Sequence, residues 1–397
     1  MVHEPFISRV KIRNFKSIGH CDVSLGRLTL LVGRNGSGKS NFLDALRFIV
    51  DGLETSLDHA MRARGGIREV RRHSTGHPHN FSIEVEMNLP DFQVGKYGFE
   101  IGAQPKGGFF VKRESLLVLA ARGDRKTVFR AVDGVVEVFS NGQSPAAVAD
   151  RLYLVTASGI PEIRPVYDAL LAMGFYNLNP EQMKEVQVPD AGELLRRDGS
   201  NIASVIARLA DDRPQLKQRI ANYLSAIVPD IVDFERIGLG HRETMRFMQQ
   251  VRGSTHPWKF NASSMSDGTL RTLGILVATM QLAGRKHPVR LVGVEEPETA
   301  LHPAAAGALM SSLREGATNT QILLTTHSPD LLDNINLDED DLLVVQSIQG
   351  TTEIGPADPT SLHSIRNHLF TAGELLRMDQ LQPDLAPREQ QSVMVFD

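Results

Sequence analysis

The stretch "LTLLVGRNGSGKSNFLDALRFIV", residues 28–50, decides the fold of this chain. It opens with a continuous apolar run that ends in glycine, which is typical of a buried central strand, and it closes with apolar residues at helical spacing. Between them, "GRNGSGKS" (33–40) matches G-x-x-x-x-G-K-[ST] in full. A strand, a glycine-rich turn and a helix in this order predict a nucleotide-binding P-loop, whose N–H groups point at phosphates.

The positions of this turn have expected roles. We expect Lys39 to reach the β- and γ-phosphates and the Ser40 hydroxyl to ligate Mg²⁺, so the predicted cofactors are ATP and Mg²⁺. The alternative interpretation is a glycine-rich turn that only caps a helix, and the complete match disfavours it. The other residues expected to contact the nucleotide are Asn35, Gly36, Ser37, Gly38 and Asn41.

A second motif, "GVEEPETALHP" (293–303), follows the short apolar run "VRLVG". An acidic strand tip beside a P-loop supplies the further carboxylate that Mg²⁺ needs, directly or through water. We expect Glu295 to take that role and Glu296 to orient or deprotonate the attacking water. The alternative is a solvated strand end with ordinary glutamates.

Two weaker motifs lie near the second one. "SSMSDGTLRTLGIL" (263–276) places serine, aspartate and glycine ahead of an amphipathic helix, which suits a phosphate site but equally a plain N-capped helix. "LLTTHSPDLL" (323–332) puts His327 just past a strand, where a lone histidine is usually an ordinary loop residue.

Taken in order, these motifs resemble the ABC-type ATPase head of the RecF, SMC and OLD-like families. "IRNFKSI" (12–18) is similar to the opening strand of those proteins, and "EEPETALHP" to their Walker B and D-loop. The resemblance implies that "MSDGT" (265–269) is the signature motif. Its Ser266 and Gly268 would contact the γ-phosphate of an ATP held by a second subunit.

The resemblance also implies roles in hydrolysis. Glu296 would act on the attacking water, Lys39 on the phosphates, and His327 would be a switch histidine at the γ-phosphate. Because each ATP would contact two chains, we expect a homodimer, with a higher oligomer left open, that closes on ATP and loosens on hydrolysis.

The expected fold class is α/β: an ABC-type P-loop ATPase head with a mixed sheet and an antiparallel β meander, plus an inserted helical domain. Strand-like runs dominate before residue 140, and helical spacing dominates from about 161 to 232. The predicted units are an N-terminal ATPase lobe (1–150), a helical insertion (151–232), a C-terminal ATPase lobe (233–350) and a polar tail (351–397).

The sequence departs from the family pattern in three ways. The Q-loop glutamine has no counterpart, since no glutamine occurs between Ser40 and Phe92, and position suggests His73 or Ser74 in its place. The long coiled coil of SMC proteins is missing. Only 70 residues follow His327, which we expect to be too few for the nuclease domain of OLD proteins, so an effector activity would come from a partner protein.

Composition limits the partners. A hydrophobic content of 41%, a charged content of 23% and a single cysteine predict a globular protein of a reducing compartment, and no apolar run approaches the roughly 18 residues of a membrane span. We therefore expect a cytoplasmic protein without a membrane partner. The net charge of −4 means that any binding of DNA or RNA needs a local patch. The candidates lie in "MRARGGIREVRRH" (61–73), which can equally be a solvated loop: Arg62, Arg64, Arg68, Arg71 and Arg72.

Three functions remain open at this stage. The first is an ATP-gated dimeric clamp or switch in bacterial anti-phage defence, acting with an effector such as a nuclease or toxin. The second is a RecF- or SMC-like ATPase of DNA repair or maintenance that binds DNA directly. The third, a transporter's nucleotide-binding subunit, is disfavoured because such subunits carry a signature closer to Ser-Gly-Gly-Gln and a Q-loop glutamine.

Overall fold

The computed structural model describes residues 4–73, 79–90, 93–105, 107–119, 126–140, 142–281, 289–299, 301–337 and 341–385. They form a 13-stranded mixed sheet and a small antiparallel sheet, with helices packed against both. The strands are β1 (Ile7–Phe15), β2 (Ile18–Ser24), β3 (Leu28–Val32), β4 (Asn80–Leu89), β5 (Gln93–Ala103), β6 (Phe109–Leu119), β7 (Lys126–Val132), β8 (Val135–Phe139), β9 (Met173–Tyr176), β10 (Ile231–Leu239), β11 (Arg242–Gln249), β12 (Trp258–Asn261), β13 (Leu291–Glu295), β14 (Gln321–Thr326), β15 (Asp341–Ile348) and β16 (Thr351–Pro356). The helices are α1 (Lys39–Glu54), α2 (Leu57–Arg62), α3 (Ile67–Val70), α4 (Tyr153–Ala157), α5 (Arg164–Leu171), α6 (Pro180–Lys184), α7 (Ile202–Asp212), α8 (Pro214–Ile227), α9 (Asp267–Met280), α10 (Ala306–Ala317), α11 (Pro329–Leu332), α12 (Pro359–Arg366) and α13 (Ala372–Arg377).

The large sheet runs in the order β8-β7-β6-β5-β4-β1-β2-β16-β15-β3-β14-β13-β9. The part from β8 to β2 is an antiparallel meander, which confirms the predicted one and adds β7, which the sequence reading did not identify. Alternate residues along the strands face opposite sides, so β3 sends Leu31 into one hydrophobic core and Leu30 into the other. The sheet therefore separates a core under α1 from a core under α9 and α10.

The parallel strands β3, β14 and β13 position the motifs. Val32 pairs with Thr326, and Thr325 pairs with Glu295, so the three strands end level with one another. The carboxyl ends of parallel strands share one edge of a sheet, and ligands of open α/β sheets bind beyond that edge. The P-loop, the acidic tip and the strand that ends at His327 therefore meet there.

The segment 151–232 is not a separate helical domain, which corrects the expectation of an insertion. Its strand β9 pairs in parallel with β13 and forms the edge of the large sheet. The Tyr167 hydroxyl of α5 donates to the Leu53 carbonyl of α1 at 3.2 Å, while α7 and α8 pack against the small sheet and α9. The helical pattern "PEIRPVYDALLAMG" extends over Met173 and Gly174, and four residues are too few to show the period of a strand.

The boundary at 350 is also corrected, because β15 and β16 form one hairpin across it. β16 lies between β15 and β2, inside the large sheet rather than in a polar tail. The short amphipathic piece that follows is the helix α13. Within the described ranges, the structure contains no helix with both the length and the apolar character to cross a membrane.

Glu114 of β6 is a fully buried carboxylate that ties the meander to α4. It accepts hydrogen bonds from the backbone N–H groups of Tyr153 and Leu154 and from the Tyr97 hydroxyl. Burial raises the pKa of Glu114 to about 7, although these hydrogen bonds favour the ionised form.

The first prediction follows from this carboxylate. Since its folded pKa lies above the ordinary value of 4.5, the folded chain holds the proton more tightly than the unfolded chain does. Stability should therefore fall by about 3 kcal/mol as pH rises from about 4.5 to just above 7. Urea unfolding across this range should show the loss in the native protein but not in Glu114→Gln. Parallel pH profiles for the two proteins would contradict the assignment.

Candidate nucleotide site

The P-loop backbone between β3 and α1 depends on glycine at Gly36 and Gly38, whose φ angles of 78° and 106° are strained for other residues. A side chain at Gly38 would also put its Cβ 2.1 Å from the Thr352 hydroxyl oxygen of β16. The shape of the loop therefore depends on its own glycines and on the close packing of β16 against Gly38. Asn35 and Gly36 lie exposed at its tip.

Lys39 is folded into the loop. Its ammonium donates to the backbone carbonyls of Gly33 (2.8 Å) and Arg34 (3.0 Å), and the residue is buried. Burial lowers the pKa of Lys39, while the nearby carboxylates of Glu296, Glu298 and Glu295 oppose the shift. The cation is therefore held at the mouth of the loop, where a phosphate oxygen can take over its hydrogen bonds.

The Ser40 hydroxyl donates to Oε2 of Glu295 at 2.6 Å. An alcohol and a carboxylate in contact at the end of a strand are the oxygen ligands that Mg²⁺ takes, with nucleotide phosphates supplying others. Among the described residues, no group of three histidine, cysteine or acidic side chains is arranged as a metal site of its own. The pair thus fits a cation that arrives with a nucleotide.

Glu296 stands just past β13 with a φ of +44°, a left-handed backbone that is rare for residues other than glycine, asparagine and aspartate. Its N–H donates to the Thr325 carbonyl at 3.0 Å, and its Oε1 lies 3.3 Å from Nδ1 of His327. Such strain persists where surrounding contacts enforce it, often at functional sites. The turn points Glu296 toward His327, while Glu295 faces Ser40.

Glu298 belongs to the same cluster, although it is not among the residues that the sequence motifs predict. Its Oε1 accepts the Thr326 hydroxyl at 2.5 Å and the His327 N–H at 3.2 Å. The only signal was its place as the third glutamate of "EEPE", and glutamate at a strand end is ordinarily solvated. The partners lie on a strand 28 residues away, which the sequence does not show.

Asn41 and Ser37 face away from the mouth of the loop. The Asn41 amide donates to the Ser17 hydroxyl at 2.6 Å, which in turn contacts the Thr352 hydroxyl at 2.7 Å. Thr352 donates to the Ser37 carbonyl at 2.8 Å, and the Ser37 side chain is buried. Asn41 and Ser37 thus connect the loop to β16 and to Ser17. The Asn41 amide is engaged there and does not point to a nucleotide.

The predicted signature lies at the start of α9. The Ser266 side chain accepts the Thr269 N–H at 3.2 Å, as an ordinary N-cap does, and Gly268 is buried in the first turn. Asp267 is bound by Lys184 of α6 at 2.6 Å. This helix packs in the core opposite to that of α1, so it is not part of the cluster around the P-loop.

The arginines of 61–73 do not form one surface. Arg62 and Arg68 are exposed, with Arg62 paired to Asp58 at 2.8 Å, while Arg71 and Arg72 are half-buried. Arg72 donates to the Thr351 hydroxyl at 2.5 Å. His73, one of the two proposed replacements for the Q-loop glutamine, donates from its ring to the Arg68 carbonyl, and Ser74 lies outside the described residues.

Arg64 is a correction to the predicted basic surface. Its side chain is only 5% exposed, binds the carboxylates of Asp44 and Asp51 at 2.8 Å, and lies over the Phe48 ring. Burial alone would lower the pKa of Arg64, but the two aspartates raise it above its ordinary value. Arg64 therefore braces α1 from within and is not available to nucleic acid.

Two family models match the chain. Residues 170–333 match the family described as "AAA domain, putative AbiEii toxin, Type IV TA system", and residues 6–91 match "AAA ATPase domain". A curated relative, Endonuclease GajA of Bacillus cereus (strain VD045), is 21% identical over 353 residues, covering 82% of this chain and 56% of that protein. Chromosome partition protein Smc of Pyrococcus furiosus is 42% identical over 62 residues, or 15% of this chain and 5% of that one.

Solved structures show the same fold. An Smc head bound to the C-terminal winged-helix domain of ScpA superposes with a TM-score of 0.56 at 14% identity, covering 91% of this chain and all of that one. The Pyrococcus furiosus Smc head with an extended coiled coil gives 0.55 at 13%, covering 92% and 99%. The chain has the fold of an SMC-like, ABC-type ATPase head, and two parts of it match AAA family models. The chain spans 56% of the length of GajA.

The second prediction separates the buried arginine from the exposed one. Arg64→Ala should lower the free energy of unfolding by about 3 kcal/mol, because it removes the buried cation that Asp44 and Asp51 share and leaves them only the more exposed Lys16 and Arg47. Arg62→Ala, which breaks only an exposed pair, should cost less than about 1 kcal/mol. Urea denaturation of both variants checks this. Equal small losses would mean that Arg64 does not brace α1.

Proposed function

We propose that this chain binds ATP with Mg²⁺ and hydrolyses it as a dimeric switch. The observation that carries the proposal is the convergence of Lys39, Ser40, Glu295, Glu296 and His327 beyond three parallel strands. If the glycine-rich turn only capped a helix, or the acidic strand end were only solvated, the P-loop and the strand end would not need to be in contact, as they are through Ser40 and Glu295.

The residues divide the work by their surroundings. Lys39 would hold the β- and γ-phosphates, and Ser40 with Glu295 would hold a magnesium ion, which would supply charge neutralisation for the phosphates. Glu295 is engaged by Ser40, whereas Glu296 is about one-third exposed and can meet water. Glu296 therefore accepts the proton of the attacking water, and His327 at 3.3 Å orients its carboxylate.

A single chain supplies only half of each site. Ser266 and Gly268 start a helix of the other core, where the Ser266 hydroxyl contacts Thr269 of the same helix turn. If a second copy brings this helix N-terminus to the γ-phosphate, the ATP becomes the contact between the chains. Binding then favours the closed dimer and hydrolysis releases it, which is a population shift driven by differential contacts.

For the biological role we propose bacterial anti-phage defence together with an effector protein such as a nuclease or toxin. The support is the match to a family described by an AbiEii toxin and the likeness to an endonuclease over most of this chain. A second candidate is a DNA-maintenance ATPase that binds DNA directly. The exposed Arg62 and Arg68, with the short match to Smc, favour that candidate.

The third prediction tests the base. Glu296→Gln keeps the size and the acceptor atom but loses the proton acceptor, so it should bind ATP and hydrolyse it at least about 100-fold more slowly. Phosphate release measures turnover, and light scattering after size exclusion should show the ATP-bound dimer accumulating.

Lys39→Ala is the matched control, and it should lose ATP binding and remain monomeric with nucleotide. Ser266→Arg should bind ATP in the monomer but fail to dimerise. Native turnover in Glu296→Gln would remove Glu296 from its role, and a dimer formed by Ser266→Arg would remove the sandwich.

The fourth prediction decides between the two biological candidates. If the exposed Arg62 and Arg68 bind DNA or RNA, Arg62→Glu with Arg68→Glu should weaken binding more than about tenfold at 0.1 M salt, since two attractive contacts to phosphates become repulsive. The matched control is Arg252→Glu with Lys259→Glu, two exposed cations near β12, which should leave binding unchanged.

Binding to double-stranded DNA, single-stranded DNA and RNA should be followed by fluorescence anisotropy beside ATP turnover. Stimulation by one polymer identifies the ligand and supports direct binding. An absence of both binding and stimulation excludes this candidate and points to a protein trigger.

A further inference from the structure

Glu298 is a mostly buried glutamate to which the sequence motifs assign no role. The side chain is 12% exposed, and one oxygen, Oε2, is buried without a hydrogen-bond partner among the described residues. The other, Oε1, accepts both the Thr326 hydroxyl and the His327 N–H. A buried carboxylate is costly unless its contacts compensate, so this placement needs a reason.

The two partners of Oε1 explain where the switch histidine stands. Thr326 is the last residue of β14, and its hydroxyl oxygen also accepts the Ser328 N–H at 3.0 Å. Glu298 therefore holds the His327 N–H directly, and it holds the Ser328 N–H indirectly through the Thr326 hydroxyl. With the backbone held so, Nδ1 of His327 lies 3.3 Å from Glu296 and 3.9 Å from Glu298.

We propose that Glu298 is a positioning residue that holds the Thr326–His327 segment so that the imidazole faces Glu296. This rests on the proposed function, because it assigns Glu298 to the hydrolysis that Glu296 performs. Glu298 is not a second base, since Oε1 is already engaged by two donors and Oε2 is buried. Its effect should appear in the rate of turnover and not in ATP affinity.

The test compares Glu298→Ala with Glu298→Gln. Alanine removes the acceptor, so kcat should fall about 10- to 100-fold as His327 loses its orientation, while KM for ATP changes less than about threefold. Glutamine keeps one acceptor oxygen for Thr326 and His327, so kcat should stay within about threefold of native. A Glu298→Gln as slow as Glu296→Gln would overturn the proposal, because the charge itself would then be needed.

Thr326 supplies an independent arm that leaves Glu298 intact. Thr326→Val should lower kcat and Thr326→Ser should restore it. The Thr326→Val loss should be smaller in a Glu298→Ala background, since the two residues share one hydrogen bond, although the Ser328 N–H still loses its acceptor there. Additive losses in that double-mutant cycle would contradict the shared role. These two variants keep the test valid where Glu298→Ala does not fold.

Glu315→Ala is the matched control for general damage. Glu315 of α10 is a partly buried glutamate that accepts the Tyr223 hydroxyl at 2.7 Å, away from the nucleotide site. It should lower the unfolding temperature without changing kcat. If the native chain hydrolyses ATP and Glu296→Gln does not, while Glu298→Ala turns over normally, the inference on Glu298 fails and the proposed function stands. If the native chain hydrolyses no ATP under any trigger, the proposed function fails first.

Discussion

The parallel pairing of β3, β14 and β13 is the constraint on which the site depends. It joins residues near position 30 to residues near 290 and 320, and it aligns the three strand ends. Each strand then delivers one kind of group beyond the sheet: a phosphate-binding loop, a pair of acids and a histidine. A one-residue shift of β13 against β14 would exchange Glu295 and Glu296, so the register fixes which acid meets Ser40 and which meets His327.

The amino-acid sequence predicted the parts whose information is local. The P-loop and the acidic tip were identified because a motif, a strand and a helix lie within about 25 residues of each other. The meander was found for the same reason, since alternation along each strand marks its buried face. The signature role of Ser266 and the dimer are still predictions, because both concern contacts between two chains.

The rest depended on distant partners. β9 is too short to show a period, and it is a strand only because β13 offers an edge. Arg64 read as one of five exposed cations, yet Asp44 and Asp51 on the inner side of α1 turn it inward. Glu298 looked like a solvated acid until Thr326 was placed beside it. In each case a contact across the fold overrode what the local residue type favours.

The contact between β16 and the P-loop has a consequence for biogenesis. Thr352 closes the back of a loop that was synthesised more than 300 residues earlier, and Gly38 leaves room for it. During synthesis the N-terminal part of the chain can bury its apolar residues before β16 has left the ribosome. Long-range pairing of this kind forms late. Nascent chains would therefore carry the glycine motif without its finished shape. We therefore expect the proposed nucleotide binding, and the dimer that it would close, only in the completed head.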